Sequence, residues 1–427
     1  MRFEHLQYQI SRRRLLGTAA KAGAAGAVLS ATGAGLLSGV AGAEDRKPGS
    51  TSGSGGVDGS GYDDSFSVEG ALDGTWAAET AERYGAEDQV GTLNEITAEK
   101  TAGALGLLAG AGEVSTYGMG QLLRNGFPAF VNYPPRIYEQ RLFVYGLQPD
   151  AADEFFTADT DGDAGVDQWR QADRERGPLG YIAAPEPLGT NQVTYFEERF
   201  PHGGTYQIAT QLDGLNHIGV GDVYYNGFRA GSFARATGTS ELGMEHVSPF
   251  VTRGVLLDVL GWKQSEGGGA DIQTVNGHDM LGDTYRITVE DLQATMEWEG
   301  VDGIEAGDAV VIRTGWWWLA EDPATYEHYL ATEPGIYIRE AKWLGDHHPA
   351  VLASDTYGLE VLGADFIDLA FPVHQELLTH KGVHIGEGVL SDPLAERGAY
   401  TFVYSYSPQY ALGSTAGNAP PVALVAG

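Results

Sequence analysis

The chain has 427 residues, 42% of them hydrophobic, enough to bury a sizeable core in one large domain or two smaller ones. Its 58 Asp and Glu outnumber 26 Lys and Arg for a formal charge of −32, which repels nucleic acid and anionic membranes and argues against either as a partner. A carboxylate surface of this kind stays hydrated at high salt, where screening relieves the self-repulsion, so a halophilic protein is expected. The absence of cysteine excludes disulfides, thiolate nucleophiles and cysteine-held metal sites, leaving His, carboxylate and amide oxygen as metal donors.

In chain order, Ser11-Arg12-Arg13-Arg14-Leu15-Leu16 precedes an Ala/Gly/Leu-rich run without acidic residues that ends at Ala41-Gly42-Ala43. Residues 1–43 resemble a twin-arginine export signal, and the apolar run is too short and too rich in Gly and Ala for a membrane span. The expectation is an exported protein, extracellular or associated with the cell surface. Loss of that segment removes five basic residues and one acidic residue and leaves 21 against 57, or −36. Residues 44–64 read as a flexible Gly/Ser linker. Their glycines do not form a phosphate loop, since no strand precedes them and no Gly-Lys-Ser/Thr follows.

From residue 65 to 427, β-branched apolar runs alternate with helical patterns, which predicts a mixed α/β domain. Strands are expected at 253–260, 309–314, 350–354, 401–407 and 421–426, and helices at 97–110, 289–298 and 336–345. The second helix opens with Thr288 and Asp291 in the spacing of a capping box. Residues 126–195 are the least regular part, rich in Pro, aromatics and acid, and read as a long insertion or lid-like excursion. Within them "DTDGDAGVDQW" (159–169) imitates a calcium loop. Ala164 stands where its turn glycine belongs and Arg170 where its bidentate glutamate belongs, so acidic surface is the better reading.

No G-x-S-x-G and no H-E-x-x-H occurs, which removes the usual sequence support for serine hydrolases and gluzincins. Two polar groups remain. In "QIATQLDGLNH", Gln207, Gln211, Asp213 and His217 recur at spacings of four, two and four, and a chain leaving a strand through Gly214 could turn them toward one point. Taken alone, Asp213 is as well explained as a turn cap and His217 as a core histidine. In "FPVHQELLTHKGVHIGEGVL" (371–390), His374, His380, His384 and Glu387 fall within fourteen residues. A strand there puts His384 and Glu387 on opposite faces, while His374 and Glu387 converge if they close adjacent elements. Together the two groups supply nitrogen and oxygen ligands from distant segments. An ion held by them lowers the pKa of bound water and polarises a carbonyl, and an unligated His can carry the proton. That is a hydrolase design.

Seven collinear stretches, "RYGAEDQVGTLNEITAEK" (83–100), "TQLDGLNHIGVGDVYYNG" (210–227), "VTRGVLLDV" (251–259), "GDAVVIRTGW" (307–316), "EPGI" (333–336), "WLGDHHPAVLASDTYGLE" (343–360) and "PVHQELLTHKGVHIGEGVLSDPLA" (372–395), resemble the cyclase family, which includes kynurenine formamidase (arylformamidase) and isatin hydrolase. The resemblance spans about residues 80 to 427. It implies a swivelling β/β/α-type fold, a mixed sheet with flanking helices, and metal-dependent hydrolysis of an amide, lactam, formamide or ester in a small cyclic or aromatic substrate. On the family signature H-x-x-T-H-x-D-x-P-x-H, the threonine falls on Thr210, the metal aspartate on Asp213 and the acid/base histidine on His217. The further metal ligands fall on His374 and Glu387. The two ligand histidines fall on Gln207 and Gln211, and the proline on Leu215. Glutamine binds divalent ions more weakly than imidazole, which disfavours a zinc pair and favours one harder ion.

The resemblance thus implies a divalent ion, manganese or zinc with magnesium as a further candidate, at Asp213, His374, Glu387, Gln211 and Gln207. Tyr225 and Asn226 are expected to line the substrate pocket, and His347, His348 and Asp355 to be scaffold. Relatives pair subunits, so a homo-oligomer is expected. Two other readings stay open: a secreted small-molecule-binding protein on a degenerate scaffold, and a lyase or ring-closing enzyme on the same scaffold.

Overall fold

The apolar run Ala309–Ile312 forms a strand whose four side chains are all buried, Val310 and Ile312 in one core and Ala309 and Val311 in another. Continuous apolar sequence is what a strand covered on both faces requires. The computed structural model describes residues 61–130, 136–145, 181–184, 186–200, 204–363, 366 and 369–427. Its main sheet comprises β1 (Val114–Gly118), β2 (Gln211–Asp213), β3 (Phe250–Leu257), β4 (Ala309–Ile312), β5 (Val351–Ser354), β6 (His384–Glu387), β7 (Thr401–Tyr406), β8 (Ala416–Gly417) and β9 (Val422–Ala426). These nine strands lie in the order β1-β9-β7-β3-β4-β5-β6-β2-β8. The four central strands β3 to β6 run parallel, and every pair outside them is antiparallel. This is the mixed α/β architecture that the alternating patterns predict.

Helices α1 (Val68–Leu72), α2 (Thr75–Tyr84), α3 (Ala98–Gly106), α4 (Val259–Ser265), α5 (Val289–Glu299), α6 (Ile338–Gly345) and α7 (Asp392–Arg397) flank the sheet. The capping box at α5 forms as expected: Asp291 N–H donates to Thr288 Oγ1 and Thr288 N–H to the Asp291 carboxylate. Two elements end three or more residues before their expected limits. The run 253–260 is not one strand, because Asp258 accepts from Gly261 N–H, caps α4 and turns the chain out of the sheet after Leu257. Helix α3, capped by Thr97, stops at Gly106 and gives way to turns.

The export segment, the linker up to residue 60 and the calcium-like run 159–169 lie outside the described residues. Residues 61–64 are not free linker: Asp64 pairs with Arg286 at 2.7 Å and Asp63 with Lys342 at 3.1 Å. The described parts of 126–195 are more regular than expected. Arg141–Tyr145, Tyr181–Ala184 and Tyr195–Arg199 form a separate three-stranded sheet. Such short strands carry too few residues to show a period in the sequence.

Gly382, with φ +68°, ends a helical turn against Gly91, whose neighbour Thr92 donates its N–H to Gly382 O at 2.9 Å. A Cβ at Gly382 would stand 2.3 Å from the Tyr225 ring. Gly382→Ala combines that clash with left-handed strain and is expected to destabilise the protein by about 2 kcal/mol or more. Chemical denaturation measures it, and an unchanged midpoint would contradict the packing described.

Candidate metal centre and active site

The centre stands where the parallel part of the sheet meets its antiparallel edge. Strand β2 pairs with β6 so that Gln211 faces Glu387 and Leu212 faces Gly386. Directly opposed residues share a face, so these side chains meet: Gln211 Nε2 donates to Glu387 Oε2 at 2.5 Å. Asp213, two residues along β2, falls on the same face. Gln207 completes the row, donating to Asp213 Oδ1 at 3.0 Å and accepting from Gln211 Nε2 at 2.8 Å. His374 comes from the other side, at the end of the short α-helix Pro372–His374, which runs on into a π-helix, Gln375–Lys381.

His374 Nε2 lies 3.2 Å from Glu387 Oε1 and 3.8 Å from Asp213 Oδ2. One donor atom from each of the three residues lies within 4.8 Å of the others. Donors about 2.1 Å from a common ion are at most about 4.2 Å apart, so the two His374 separations fit one divalent cation. Asp213 Oδ2 and Gln211 Oε1 are both buried without a hydrogen-bond partner. Uncompensated buried oxygens are costly, and a cation would satisfy them. Two carboxylates, an imidazole and an amide oxygen suit manganese, zinc or magnesium.

The electrostatics agree with a centre built around positive charge. Burial, then the charge of Glu387, pushes Asp213 well above the usual carboxylate range. Burial alone would depress His374, but its hydrogen bonds to Glu360 and Glu387 raise it to about 10. The ion-free centre therefore holds a proton on His374 at neutral pH, and a cation must displace it. Metal affinity should weaken as pH falls below about 10, by up to about tenfold per unit for each proton displaced. Calorimetry in buffers of different ionisation enthalpy reads the released proton; equal heats across buffers would contradict it.

His217 is half-buried, its ring centroid 6.4 Å from that of His374. Burial, then the positive charges of His374 and Arg136, hold its pKa well below the ordinary histidine value. A neutral imidazole beside the centre is suited to accept a proton near neutral pH.

Sequence reasoning missed two buried acids. Glu360 accepts from His374 Nδ1 at 2.5 Å and from the backbone N–H of Val373, which fixes the imidazole with Nε2 toward Asp213 and Glu387. It lies in "LASDTYGLE", a stretch that signals order but no role. Glu333, fully buried, accepts from Tyr357 N–H and is pushed up by burial and by the Glu387 charge.

Tyr225 and Asn226 are not brought to the centre. Tyr225 is fully buried and donates its hydroxyl to Asp88, while Asn226 donates to the carbonyls of Gly85 and Asp88. Both lock the loop after α2, because Asn226 takes a left-handed turn with φ +54°. His384 bonds the carbonyls of Asp213 and Val90, away from the carboxylate of Glu387. His380 lies between Glu376 and Glu79 and stacks on Trp76. His347 bonds Trp343 O, and Asp355 accepts from Thr314 and Gly315 N–H, both as scaffold.

A small cavity of about 20 Å³ opens over the centre. Gln207, Gln211 and Glu387 form its floor, and Phe130, Tyr329 and Tyr357 are among its walls. A polar floor under aromatic walls is the usual form of a site for a small, largely apolar ligand.

A family model described as "Putative cyclase" matches residues 156–361. A solved structure described as that of a novel cyclase is 26% identical, with a TM-score of 0.58 over 81% of this chain and 96% of its own. Isatin hydrolase A from Ralstonia solanacearum is 17% identical, with a TM-score of 0.46 over 76% of this chain and 96% of its own. An isatin hydrolase bound to the product analogue thioisatinate is 15% identical, with a TM-score of 0.44 over 78% and 100%. No curated protein matches the chain. Sheet, flanking helices and the likeness to the novel cyclase together assign this chain the cyclase-family fold.

Proposed function

We propose that this protein is a cyclase-family, metal-dependent hydrolase that cleaves a C–N or C–O bond next to the carbonyl of a small cyclic or aromatic compound. The observation that carries the reading is the convergence of Asp213, His374 and Glu387 from two distant segments, with orphaned buried oxygens on both Asp213 and Gln211. A divalent ion bound there would polarise the carbonyl and make water nucleophilic at neutral pH. The chain's own residues do the rest. Glu360 keeps His374 in its ligating orientation, and Gln207 and Gln211 anchor the two carboxylates while Gln211 Oε1 stays available as a further donor. His217 takes a proton from water and delivers it to the leaving nitrogen or oxygen. The aromatic walls hold a flat substrate with its carbonyl over the floor.

The test is direct. Protein purified without chelator is analysed for metals, loaded with Mn²⁺, Zn²⁺ or Mg²⁺, and assayed on isatin, an N-formyl arylamine and an aryl lactone. Metal-dependent water uptake on one of them is expected. Binding of these compounds without turnover under every metal would instead favour a binding protein, and product formed without water a lyase. Export by the twin-arginine route belongs to the same proposal and rests on the leader at residues 1–43; N-terminal sequencing of secreted protein tests it. So does a homo-oligomer, which light scattering tests.

A further inference from the structure

We propose that the substrate carries an anionic carboxylate, and that Arg136 is the residue that binds it at the wall of the pocket. The inference rests on the hydrolase reading for the site's chemistry and adds the substrate's charge class. The pocket floor and its surroundings hold the carboxylates of Asp213, Glu333, Glu360 and Glu387, and among the described residues Arg136 is the one basic side chain lining the pocket. It is held there by its own backbone: Arg136 N–H donates to Phe130 O at 2.8 Å. Its guanidinium lies 6.0 Å from the Phe130 ring centroid, and Phe130 meets Tyr357 edge-on at 5.3 Å.

What makes Arg136 informative is that, among the described residues, it has no carboxylate partner. Among the described residues, the other half-buried arginines all have carboxylates: Arg124 pairs with Glu321, Arg253 with Asp308, Arg286 with Glu340, Arg313 with Asp258 and Arg339 with Glu290. Among the described residues, no carboxylate lies within ion-pair distance of Arg136. A half-buried guanidinium with no carboxylate partner among the described residues, beside a cavity, is a preformed fork for a planar anion. With its flat neighbours Phe130 and Tyr357, it selects an aromatic ring bearing a carboxylate over a neutral ring of the same shape. That selection also offsets the repulsion an anion would meet from the acidic floor.

The experiment compares benzoate with benzamide, which has the same shape without the charge, binding to the full-length protein by calorimetry. It is run on wild type, Arg136→Gln and Arg136→Lys, each with Mn²⁺ and again after chelation, with thermal melts confirming the fold. Wild type should prefer benzoate. Arg136→Gln should lose about tenfold or more of benzoate affinity and keep that for benzamide, with Arg136→Lys between them. Equal benzoate affinity in wild type and Arg136→Gln, or equal loss for both ligands, would overturn the assignment. Because the contrast is read in the chelated protein too, it is independent of whether the centre binds metal or turns over.

Discussion

His374→Ala is expected to empty the metal centre and to cost more than about 10³-fold in turnover, since the ion supplies both the nucleophile and the carbonyl polarisation. The physical reason is coordination by few groups. Asp213 and Glu387 alone are two buried carboxyl groups side by side, and burial with the nearby charge of Glu387 already pushes Asp213 well above the usual carboxylate range. Glu387→Gln is the companion variant: it keeps the volume and the partner of Gln211 but halves the anionic charge of the centre. Elemental analysis beside kcat decides the matter. Full metal occupancy with near-normal turnover in His374→Ala would sink the proposed centre, and a loss of fold in that variant is separated by reading Glu387→Gln.

His217→Ala is expected to give the complementary pattern, a fall in kcat of about 10² to 10⁴ with the metal retained. Its ring lies outside the bonded cluster, so its removal leaves the Asp213, His374 and Glu387 contacts in place. The sign of its pH dependence follows from its depressed pKa. A general base held well below the ordinary histidine value stays neutral as pH falls through about 6.5, so any acid limb due to His217 lies lower than that. Wild-type turnover saturated with metal should therefore stay flat across the ordinary histidine range. An acid limb centred near pH 6.5 that disappears in His217→Ala would contradict the burial ascribed to it.

Several of these elements were legible in the sequence because their physics is local or periodic. Strands β4 and β5 announce themselves as continuous apolar runs, and α5 carries its own capping box. Asp213, His374 and Glu387 lie in two segments where donors cluster, but it was the resemblance to the cyclase family that picked them out from neighbours such as His380 and His384. What failed was adjacency: Tyr225 and Asn226 follow His217 closely in sequence, yet one left-handed residue turns them into a lock on the loop after α2. Glu360 was invisible for the opposite reason. Nothing near it in sequence is catalytic, and its role exists only because the helix Pro372–His374 packs over it. Arg136 sits in a stretch whose composition speaks only of irregular surface, and its meaning depends on the described residues that surround it.

The pairing of β2 with β6 has a consequence for folding. Gln211 and Glu387 are 176 residues apart, and the hydrogen bond between their side chains closes a long loop. Contacts of such high sequence separation come late, because loop entropy must be overcome before they reward it. The centre can then form only once the C-terminal third has docked, so metal capture reports completion of the whole fold. In a stopped-flow refolding experiment, recovery of tight Mn²⁺ binding should trail the recovery of far-ultraviolet ellipticity.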